Sequence, residues 1–429
     1  LDAPTAAPPR FNRLEVATLR QAISEKSQRP MLLHVTGTQE GVDFARRDDV
    51  YLISQQGPVT PDHVIRTKSV PMLGRDLERY EHDYRNYFGI YSFAATERKT
   101  ILDPAPRVIL DRDLGLCCVG KTAGEVGIIA DIYGHTMDCI LRAEQLGGWK
   151  ALAPGDLFAV EYWDLEQAKL CKGGEPPLFT GEVVLITGAA SGIGRACVDS
   201  FLERGAAVVA LDVDSSISEI SSNPSFLGVV CDVTDPGQVS DALDEGVRCF
   251  GGLDMLVLNA GIFPGSKAVA DLPDQEWRQV MQVNLDANLT LLRECHPLLK
   301  AAPNKGRVVV VGSKNVPAPG PGAAAYSASK AALNQLVRVT ALEWGQDGIR
   351  LNSLHPNAVF DTAIWTDELL ENRATHYGIS VRKYKTNNLL GVEVTSRDVA
   401  ELAAEMCGPL FSRTTASQVP VDGGNDRVV

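Results

Sequence analysis

A glycine-rich turn directly after a short apolar segment constrains the fold of this chain more than any other feature. The apolar segment 183–187 predicts a strand, and Thr-Gly-Ala-Ala-Ser-Gly-Ile-Gly follows at 187–194. Glycine has no Cβ, and a helix N-terminus offers unpaired N–H groups, so such a turn lets backbone approach a phosphate closely. A helix is predicted to run from the turn to about Arg204. Alone this pattern is weak evidence for a nucleotide site, and its context strengthens it.

Six short apolar segments, each followed by a helix-like segment, predict a parallel sheet. They lie at 183–187, 207–212, 228–231, 255–259, 308–313 and 350–354. Alternating strands and helices are typical of α/β proteins. The predicted fold class is therefore α/β, with a Rossmann-like doubly wound parallel sheet.

A cluster of glycine and proline at 173–177 predicts a domain boundary. We expect a smaller α/β domain over 1–172, a linker over 173–180 and the sheet domain over 181–429. Within the first domain, strands are predicted at 31–35 and 107–110 and a helix at 124–146. The proline-rich residues 1–10 are expected to be a linker or the cut end of a longer chain.

Polar residues at the ends of the predicted strands point to a dinucleotide. Asp212 ends the second strand, where a carboxylate can accept hydrogen bonds from the adenosine ribose and would repel a 2′-phosphate, so NAD is favoured over NADP. The alternative is a solvated strand end, with Asp214 as a nearby loop charge. Asp232-Val233 and Asn259-Ala260-Gly261 follow later strands, although turn-forming roles are open to both.

Tyr326 and Lys330 are four residues apart in a helix-forming segment, which places them on one helix face. A phenol has a pKa of about 10 and needs a nearby cation to act as a base at neutral pH. Taken singly, a Tyr-x-x-x-Lys pair is usually surface helix, a strand-end serine such as Ser313 a turn residue, and Asn284 a helix cap.

In this order and spacing, the glycine-rich turn, Asn259-Ala260-Gly261, Asn284, Ser313 and Tyr326-x-x-x-Lys330 resemble the motif set of the short-chain dehydrogenase/reductase family. The resemblance implies an NAD-dependent enzyme that interconverts an alcohol and a carbonyl. Tyr326 would be the general acid/base, Lys330 would lower its pKa and hold the nicotinamide ribose, Ser313 would bind the substrate oxygen, and Asn284 would position a water relay. The family's usual state implies a homo-oligomer, a dimer or tetramer.

The resemblance also implies a wider set of site residues. Cofactor binding falls to Gly188, Ser191, Gly192, Ile193, Gly194, Asp212, Asp232, Val233, Asn259, Ala260, Gly261, Tyr326, Lys330, Pro356 and Asn357. Substrate contacts fall to Ser313, Asn315, Tyr326 and Trp365.

One departure from the family pattern falls after the sixth predicted strand. The family usually has Pro-Gly there, whereas this chain has Pro356-Asn357. We expect the change to affect the substrate more than the cofactor, because segment 360–385 covers the substrate in this family. Thr362, Ile364, Trp365 and Arg373 are the pocket candidates.

A second resemblance extends over the whole chain. The segment 57–68, the segment 162–169 and Ser313-Lys314-Asn315 are similar to bifunctional aldolase/short-chain dehydrogenases of the rhamnulose-phosphate aldolase type. It implies a class II aldolase-like first domain beside a dehydrogenase that oxidises a lactaldehyde. Leu114 stands where that aldolase core would have a histidine.

Metal ligands at the usual spacings are missing from the sequence. It has no His-x-His and no Cys-x-x-Cys, so no metal site is expected and the first domain is predicted to be a degenerate aldolase. For His63, Arg66 and Lys68 a structural or interface role is favoured over anion binding or catalysis. His135 is expected to be a packed core histidine.

The net charge and the hydropathy pattern disfavour some classes of binding partner and location. A formal net charge of -13 disfavours nucleic acid and anionic membranes, which bind clustered Lys and Arg. No run reaches the roughly 18 apolar residues of a membrane span, and the first residues lack a signal-peptide layout, so a cytoplasmic location is expected.

Three functions remain open. The leading one is an NAD-dependent dehydrogenase of a small hydroxy-aldehyde, polyol or sugar. The alternatives are a fragment of a zinc-dependent class II aldolase/dehydrogenase acting on a ketose 1-phosphate, and a non-catalytic NAD-binding scaffold.

Overall fold

The computed structural model describes residues 11–93, 95, 97–170, 174–362 and 365–425. These residues form two compact units. The first takes in the described residues up to Glu182 together with Asp244–Gly252, and the second takes in Val183–Leu243 and the described residues from Leu253 onward. The first ten residues and the start of the proposed linker lie outside the described residues.

The first unit has a small mixed sheet with helices. Its strands are β1 (Leu32–Val35), β2 (Met72–Leu73), β3 (Val108–Asp111) and β4 (Gly115–Gly120), and its helices are α1 (Arg13–Ser27), α2 (Gln39–Arg46), α3 (Val50–Ser54), α4 (Val64–Thr67), α5 (Leu77–Ser92), α6 (Ala123–Gln145), α7 (Pro154–Glu161) and α8 (Asp164–Leu170). The strand order is β1-β4-β3-β2, antiparallel except for the pair β2 and β3. Both strands and the helix predicted in this region are found.

The second unit is built on a seven-stranded parallel sheet. Its strands are β5 (Val183–Thr187), β6 (Ala207–Asp212), β7 (Phe226–Val230), β8 (Met255–Leu258), β9 (Arg307–Val311), β10 (Arg350–Pro356) and β11 (Gln418–Val421), and its helices are α9 (Gly192–Glu203), α10 (Pro236–Phe250, which continues into the first unit), α11 (Asp274–Met281), α12 (Ala287–Lys300), α13 (Ala324–Trp344), α14 (Asp367–His376), α15 (Val381–Lys385) and α16 (Ser396–Cys407). The strand order is β11-β10-β9-β8-β5-β6-β7. The predicted α/β fold class is confirmed.

Burial of the central strands explains why they are continuous apolar runs. Every residue of β5, β8 and β9 is buried. Helices cover both faces of a doubly wound sheet, so its inner strands cannot alternate polar and apolar residues. The carboxyl ends of these strands share one edge, and the predicted site residues follow them there.

The prediction of six strands was one short. The seventh, β11, pairs in parallel with β10 at the edge of the sheet. It has only four residues and contains Pro420, which lacks an N–H and is tolerated only where a strand has a free side. Such a segment does not have the apolar run by which the other six were recognised.

The prediction of a buried His135 was wrong. On α6 the side chains of Val126, Ile129, Tyr133 and Ile140 form the buried face. His135 is exposed on the other face of the helix. An apolar helix composition had suggested burial, but the helical period of 3.6 residues puts this position outside.

A polar cluster lies inside the first unit. Lys68 is buried, and its Nζ donates to Tyr84 Oη at 3.0 Å and to the Asp103 carbonyl at 2.8 Å. Tyr84 Oη donates in turn to Oε1 of the fully buried Glu161 at 2.9 Å. Desolvation lowers the pKa of Lys68 to about 8. These hydrogen bonds hold the side chain of Lys68 inside the first unit.

No helix in the described part of the chain is both long enough and apolar enough to cross a membrane.

Candidate active site

The glycine-rich turn between β5 and α9 needs glycine for steric reasons. Gly188 and Gly192 have positive φ angles of +65° and +52°. A Cβ on Gly194 would lie 1.9 Å from the Gly188 carbonyl oxygen. Asn259 holds the turn, because its Nδ2 donates to the carbonyls of Thr187 and Gly188, both at 3.0 Å. Asn259 thus shapes the turn from the end of β8.

The first turn of α9 presents backbone donors. Ser191 is exposed at the N-cap, and in the described part of the chain its side chain makes no capping hydrogen bond. Gly192, Ile193 and Gly194 follow, and the N–H groups of a first helical turn have no partner within their own helix. These donors and the helix dipole fit an anionic pyrophosphate.

Asp212 lies beside this turn at the end of β6. One carboxylate oxygen accepts from the backbone N–H of Ala190 at 2.9 Å, and the other accepts from that of Asp214 at 3.0 Å. Asp214 is exposed and caps a short 3-10 turn by accepting from Ser216. The half-buried Asp212 is therefore hydrogen bonded to the glycine-rich turn, and Asp214 belongs to the exposed loop.

The segment after β7 has a turn structure of its own. Asp232 accepts from both the backbone N–H and the hydroxyl of Thr234, while Val233 is buried. Ala260 donates its backbone N–H to Thr187 Oγ1 at 3.1 Å. The carboxyl edge of the sheet therefore includes Asp232, Val233 and Ala260, which follow β7 and β8.

Ser313 and Tyr326 meet at the same sheet edge. Tyr326 is in the first turn of α13, and its ring packs edge-on against Phe263 with ring centres 5.4 Å apart. Desolvation raises the pKa of Tyr326, and a hydrogen bond with Ser313 acts in the lowering direction. The phenol is therefore placed beside a hydroxyl that favours its ionised form.

Lys330 follows one helical turn later and is 4% exposed. Its Nζ donates to the Val311 carbonyl at 2.9 Å and lies 5.9 Å from the centre of the Tyr326 ring. Burial lowers the pKa of Lys330 to about 8. At neutral pH the amino group is charged, and its field favours the phenolate.

Asn284 is joined to this pair through a serine. It lies in the π-helical turn Gln282–Asp286, accepts from Ile262 N–H at 2.8 Å and donates to Ser329 Oγ at 3.1 Å. Ser329 is fully buried and donates to the Tyr326 carbonyl at 2.8 Å. A π-turn inside a helix is frequent at functional sites. Ser329 was missed in the sequence, where a serine in a helix gives no signal.

Gly261 separates Asn284 from Lys330. A Cβ there would lie 3.3 Å from Asn284 Oδ1 and 3.4 Å from Lys330 Nζ. A side chain at 261 would therefore crowd the passage between the two polar groups. This close approach accounts for the glycine in the Asn-Ala-Gly motif.

Asn315 orients Ser313. Its backbone N–H donates to Ser313 Oγ at 3.1 Å, and its Oδ1 accepts from Gly320 N–H at 3.2 Å and lies 3.4 Å from Ser327 Oγ. The residue predicted to contact substrate is thus engaged in holding the loop between β9 and α13.

The backbone around Pro356-Asn357 is hydrogen bonded to two neighbouring segments. The Pro356 carbonyl accepts from Lys314 N–H at 3.1 Å, and Asn357 N–H donates to the Val421 carbonyl at 3.2 Å. The left-handed conformation, φ +48°, is at Ala358 and not at Asn357. The backbone strain that a glycine would relieve is therefore at Ala358, one residue after the position where the family usually has its glycine.

Trp365 lies in an aromatic cluster. Its ring centre is 4.9 Å from that of Phe360 and 6.2 Å from that of Tyr384. Thr362 reaches the glycine-rich turn, since its Cγ2 would be 3.2 Å from a Cβ on Gly192. Of the other pocket candidates, Arg373 is on α14, and Ile364 lies outside the described residues.

The comparisons with known proteins agree with this geometry. Residues 182–372 match the short chain dehydrogenase family. An NAD-dependent oxidoreductase of Mycobacterium tuberculosis is 30% identical over 264 residues, covering 57% of this chain and 95% of the relative. The chain belongs to the short-chain dehydrogenase/reductase family.

Two solved structures of the family are similar to this member. The 3-ketoacyl-(acyl-carrier-protein) reductase from Brucella melitensis, complexed with NADH, is 26% identical with a TM-score of 0.50, covering 57% of this chain and 98% of that one. A dehydrogenase/reductase from Sinorhizobium meliloti 1021 is 29% identical with a TM-score of 0.50, covering 57% and 95%.

The first unit matches a different family. Residues 11–170 match the family described as aldolase class II, second domain. Oxidoreductase YuxG of Bacillus subtilis is 30% identical over 436 residues, which cover 95% of this chain and 62% of the relative. The chain thus spans less than two thirds of the length of that relative. Within the described residues, no group of three or more His, Cys, Asp or Glu side chains is arranged to hold a metal ion.

Proposed function

We propose that this dehydrogenase/reductase interconverts an alcohol and a carbonyl, with Tyr326 as the acid/base. The supporting observation is that the Ser313 hydroxyl acts to lower the pKa of the Tyr326 phenol, and that the charged, buried Lys330 is one helical turn away. A phenol in such a place can exchange a proton near neutral pH. This also favours catalysis over a scaffold that only binds NAD.

Each residue has a definite task in alcohol oxidation. Tyr326 Oη takes the hydroxyl proton of the substrate, and the Ser313 hydroxyl donates to the same substrate oxygen as the carbonyl forms. Lys330 stabilises the phenolate by its charge. Asn284, through Ser329, fixes the first turn of α13 and so the place of Tyr326. When bound, NAD supplies the acceptor for the hydride.

We further propose that NAD is preferred over NADP. The first turn of α9 has the donors for the pyrophosphate, and Ser191 leaves them uncapped. Asp212 is held at the turn by Ala190 N–H, where its carboxylate can accept from the ribose hydroxyls and would repel a 2′-phosphate. The remaining predicted contacts, by Asp232, Val233, Asn259, Ala260, Gly261, Pro356 and Asn357, are proposed on the family pattern.

For the substrate we propose a small hydroxy-aldehyde of the lactaldehyde kind, a polyol or a sugar. The resemblance to chains whose dehydrogenase half oxidises a lactaldehyde supports this choice. Polar side chains lie beside Asn357, including Lys385, Asn387, Asn388 and Asp422, around a cavity with room for about one water molecule. Trp365 and Asn315 are proposed to border the same substrate. The assembly is proposed to be a homo-oligomer, a dimer or tetramer.

The first unit is proposed to be a degenerate class II aldolase domain over 1–172, joined by a linker at 173–180, in a chain of the rhamnulose-phosphate aldolase/dehydrogenase type. Its match to the second domain of class II aldolases supports this. Zinc analysis together with retro-aldol assays on a ketose 1-phosphate tests the domain. Stoichiometric zinc with cleavage would show an active aldolase instead.

The experiment for the dehydrogenase is a panel of hydroxy-aldehydes, polyols, sugars and simple alcohols with NAD and with NADP, read by absorbance of the reduced cofactor. We expect turnover with NAD on at least one polyhydroxylated or hydroxy-aldehyde substrate. Tyr326→Phe should lower kcat by about 10²- to 10⁴-fold while keeping NAD affinity. Wild-type protein that binds NAD but turns over nothing on the panel would contradict the proposal.

A further inference from the structure

A buried histidine of the neighbouring strand is hydrogen bonded to the backbone of Ser313. His355 lies on β10 and is 6% exposed, and its Nδ1 is 3.0 Å from the Ser313 carbonyl oxygen. Because a carbonyl can only accept, Nδ1 carries the proton and donates. The other ring nitrogen, Nε2, lies 3.1 Å from Ser353 Oγ. Both nitrogens are engaged, so the ring has one orientation.

The imidazole adds a bond that the backbone cannot make. Two backbone bonds flank Ser313. Gly312 N–H donates to the Leu354 carbonyl at 2.7 Å, and Lys314 N–H donates to the Pro356 carbonyl at 3.1 Å. The side-chain donor of His355 adds a bond to the carbonyl of Ser313 itself.

Gly312 makes room for the ring. A Cβ at this position would lie 2.8 Å from His355 Cε1 and 2.9 Å from Nδ1. Real Cβ atoms do not approach so closely, so the ring lies directly against the backbone that precedes Ser313. The strand end that carries the serine is thus shaped to the imidazole.

The same histidine is connected to the helix of Tyr326. Ser353 Oγ is 3.4 Å from Asn334 Oδ1, and Asn334 is on α13, one turn after Lys330. Asn334 Nδ2 donates to Gln418 Oε1 at 3.1 Å on β11. Buried polar side chains therefore connect the Ser313 segment to the helix that holds the acid/base, and the single hydroxyl proton of Ser353 serves either His355 Nε2 or Asn334 Oδ1 at a time.

Core packing alone does not call for this arrangement. An aliphatic side chain fills a buried strand position without needing partners, whereas a buried imidazole must have both nitrogens satisfied. His355 meets that need with the backbone of Ser313 and with Ser353. The chain therefore keeps a polar group at a position of β10 that contacts Ser313.

We propose that His355 is a positioning residue that holds Ser313 where its hydroxyl meets Tyr326 and the substrate oxygen. The inference rests on the proposed function of Ser313 and Tyr326. A misplacement of about 1 Å at a reacting group can lower the rate about 100-fold. Removing the His355 hydrogen bond should therefore lower kcat and leave cofactor affinity unchanged.

The test compares His355→Leu, His355→Asn and Gly312→Ala in the full chain, on the best substrate of the panel. Asparagine puts an N–H donor near the place of Nδ1, leucine removes it, and Gly312→Ala pushes the ring away from the serine. Leu351→Val, a buried change at the other end of β10, is the matched control. We measure kcat, KM, NAD affinity and the pH profile of kcat/KM.

For His355→Leu and Gly312→Ala we expect kcat about 10- to 100-fold lower with NAD affinity within about twofold of wild type. The Ser313 hydrogen bond lowers the pKa of Tyr326, so weakening it should move the acidic limb of the profile to higher pH. His355→Asn should recover most of the activity, and Leu351→Val should keep both rate and profile.

Unchanged kcat and an unmoved limb in His355→Leu would overturn the inference. If His355→Leu does not fold, Gly312→Ala decides on the same two readouts. Ser313→Ala separates the two proposals: if it is inactive while His355→Leu is fully active, only the role of His355 fails. If Ser313→Ala is as active as wild type, the proposed function of Ser313 fails.

Discussion

Lys330 has to be charged in a place where charge is costly. Its pKa in the folded protein is about 8, lowered from 10.5 by burial, a difference of 10.5 − 8 = 2.5. Between about pH 8 and 10.5 the unfolded chain binds more protons than the folded one, so this group makes stability rise with pH across that window. Below pH 8 the full cost of burying the charge is present, about 3 kcal/mol.

Lys330→Met should therefore stabilise the NAD-free protein at pH 7 while removing activity. Losing the hydrogen bond to Val311 offsets part of the gain, which leaves about 1–2 kcal/mol. Urea unfolding at pH 7 and at pH 10 measures it, and the difference from wild type should shrink at pH 10. A Lys330→Met protein less stable than wild type at pH 7 would show that the hydrogen bond outweighs the buried charge.

Asp212→Ser tests cofactor choice at a single residue. Serine can still bond to a ribose hydroxyl but does not repel a 2′-phosphate. We expect the ratio of kcat/KM for NAD to that for NADP to fall by at least about 10-fold, which is about 1.4 kcal/mol. Asp214→Ser, on the exposed loop, is the control and should leave the ratio unchanged. If the ratio moves only in the control, Asp214 is the discriminating carboxylate.

Among the structural elements, the turn between β5 and α9 has the least tolerance for change. On Gly194 a Cβ would meet the Gly188 carbonyl oxygen at 1.9 Å, and because that oxygen belongs to the backbone it cannot rotate away as a flexible side chain could. Gly194→Ala should therefore displace the turn, abolish NAD binding and cost about 2 kcal/mol or more of stability. Calorimetric titration with NAD and thermal unfolding measure the two effects.

Gly345→Ala is the matched control for that substitution. Gly345 follows α13 with helical φ of −57°, and no atom lies within 4 Å of a Cβ built there. Alanine should leave NAD binding intact and be neutral or slightly stabilising, because it restricts the unfolded chain. NAD affinity that survives in Gly194→Ala would mean that the turn adapts, against the close contact in the structure.

The sequence predicted an element correctly where its own residues have a clear apolar pattern or spacing. The six apolar strands, and the helix of Tyr326 and Lys330, could be predicted because their apolar runs and residue spacing fit few other structures. The strand β11 is short and contains Pro420, so only pairing with β10 makes it a strand. His135 has an apolar neighbourhood in sequence but an exposed position in space.

The same limit applies within the site. Ser313, Tyr326, Lys330 and Asn284 stand in a motif order that could be predicted. Ser329 and His355 could not be predicted in this way, because their importance comes from contacts between segments far apart in the chain. A buried histidine in a strand looks like any other core residue until the neighbouring strand is in place.

At the scale of the whole molecule, the chain has two cores of different character. In the seven-stranded sheet of the second unit, every residue of β5 and β8 is buried, and the polar groups of the candidate site lie at the carboxyl edge. The first unit instead encloses a polar cluster in its interior, where Lys68 and Arg107 face Glu161 and Asp103. Lys68 has φ +65°, a conformation that side chains rarely adopt, so the surrounding contacts must hold it there.

The stability of the first unit should therefore depend on Glu161. Glu161→Ala would leave the buried Lys68 and Arg107 facing only Asp103, and breaking such a buried pair costs about 3–5 kcal/mol. The rate of amide hydrogen exchange in peptides from α5 and α7 should increase by an amount that corresponds to this loss of stability. Glu78→Ala, which removes an 81% exposed partner of Lys26, should cost less than about 1 kcal/mol. Equal effects of the two substitutions would mean that the cluster is solvated in solution and that its charges are not desolvated.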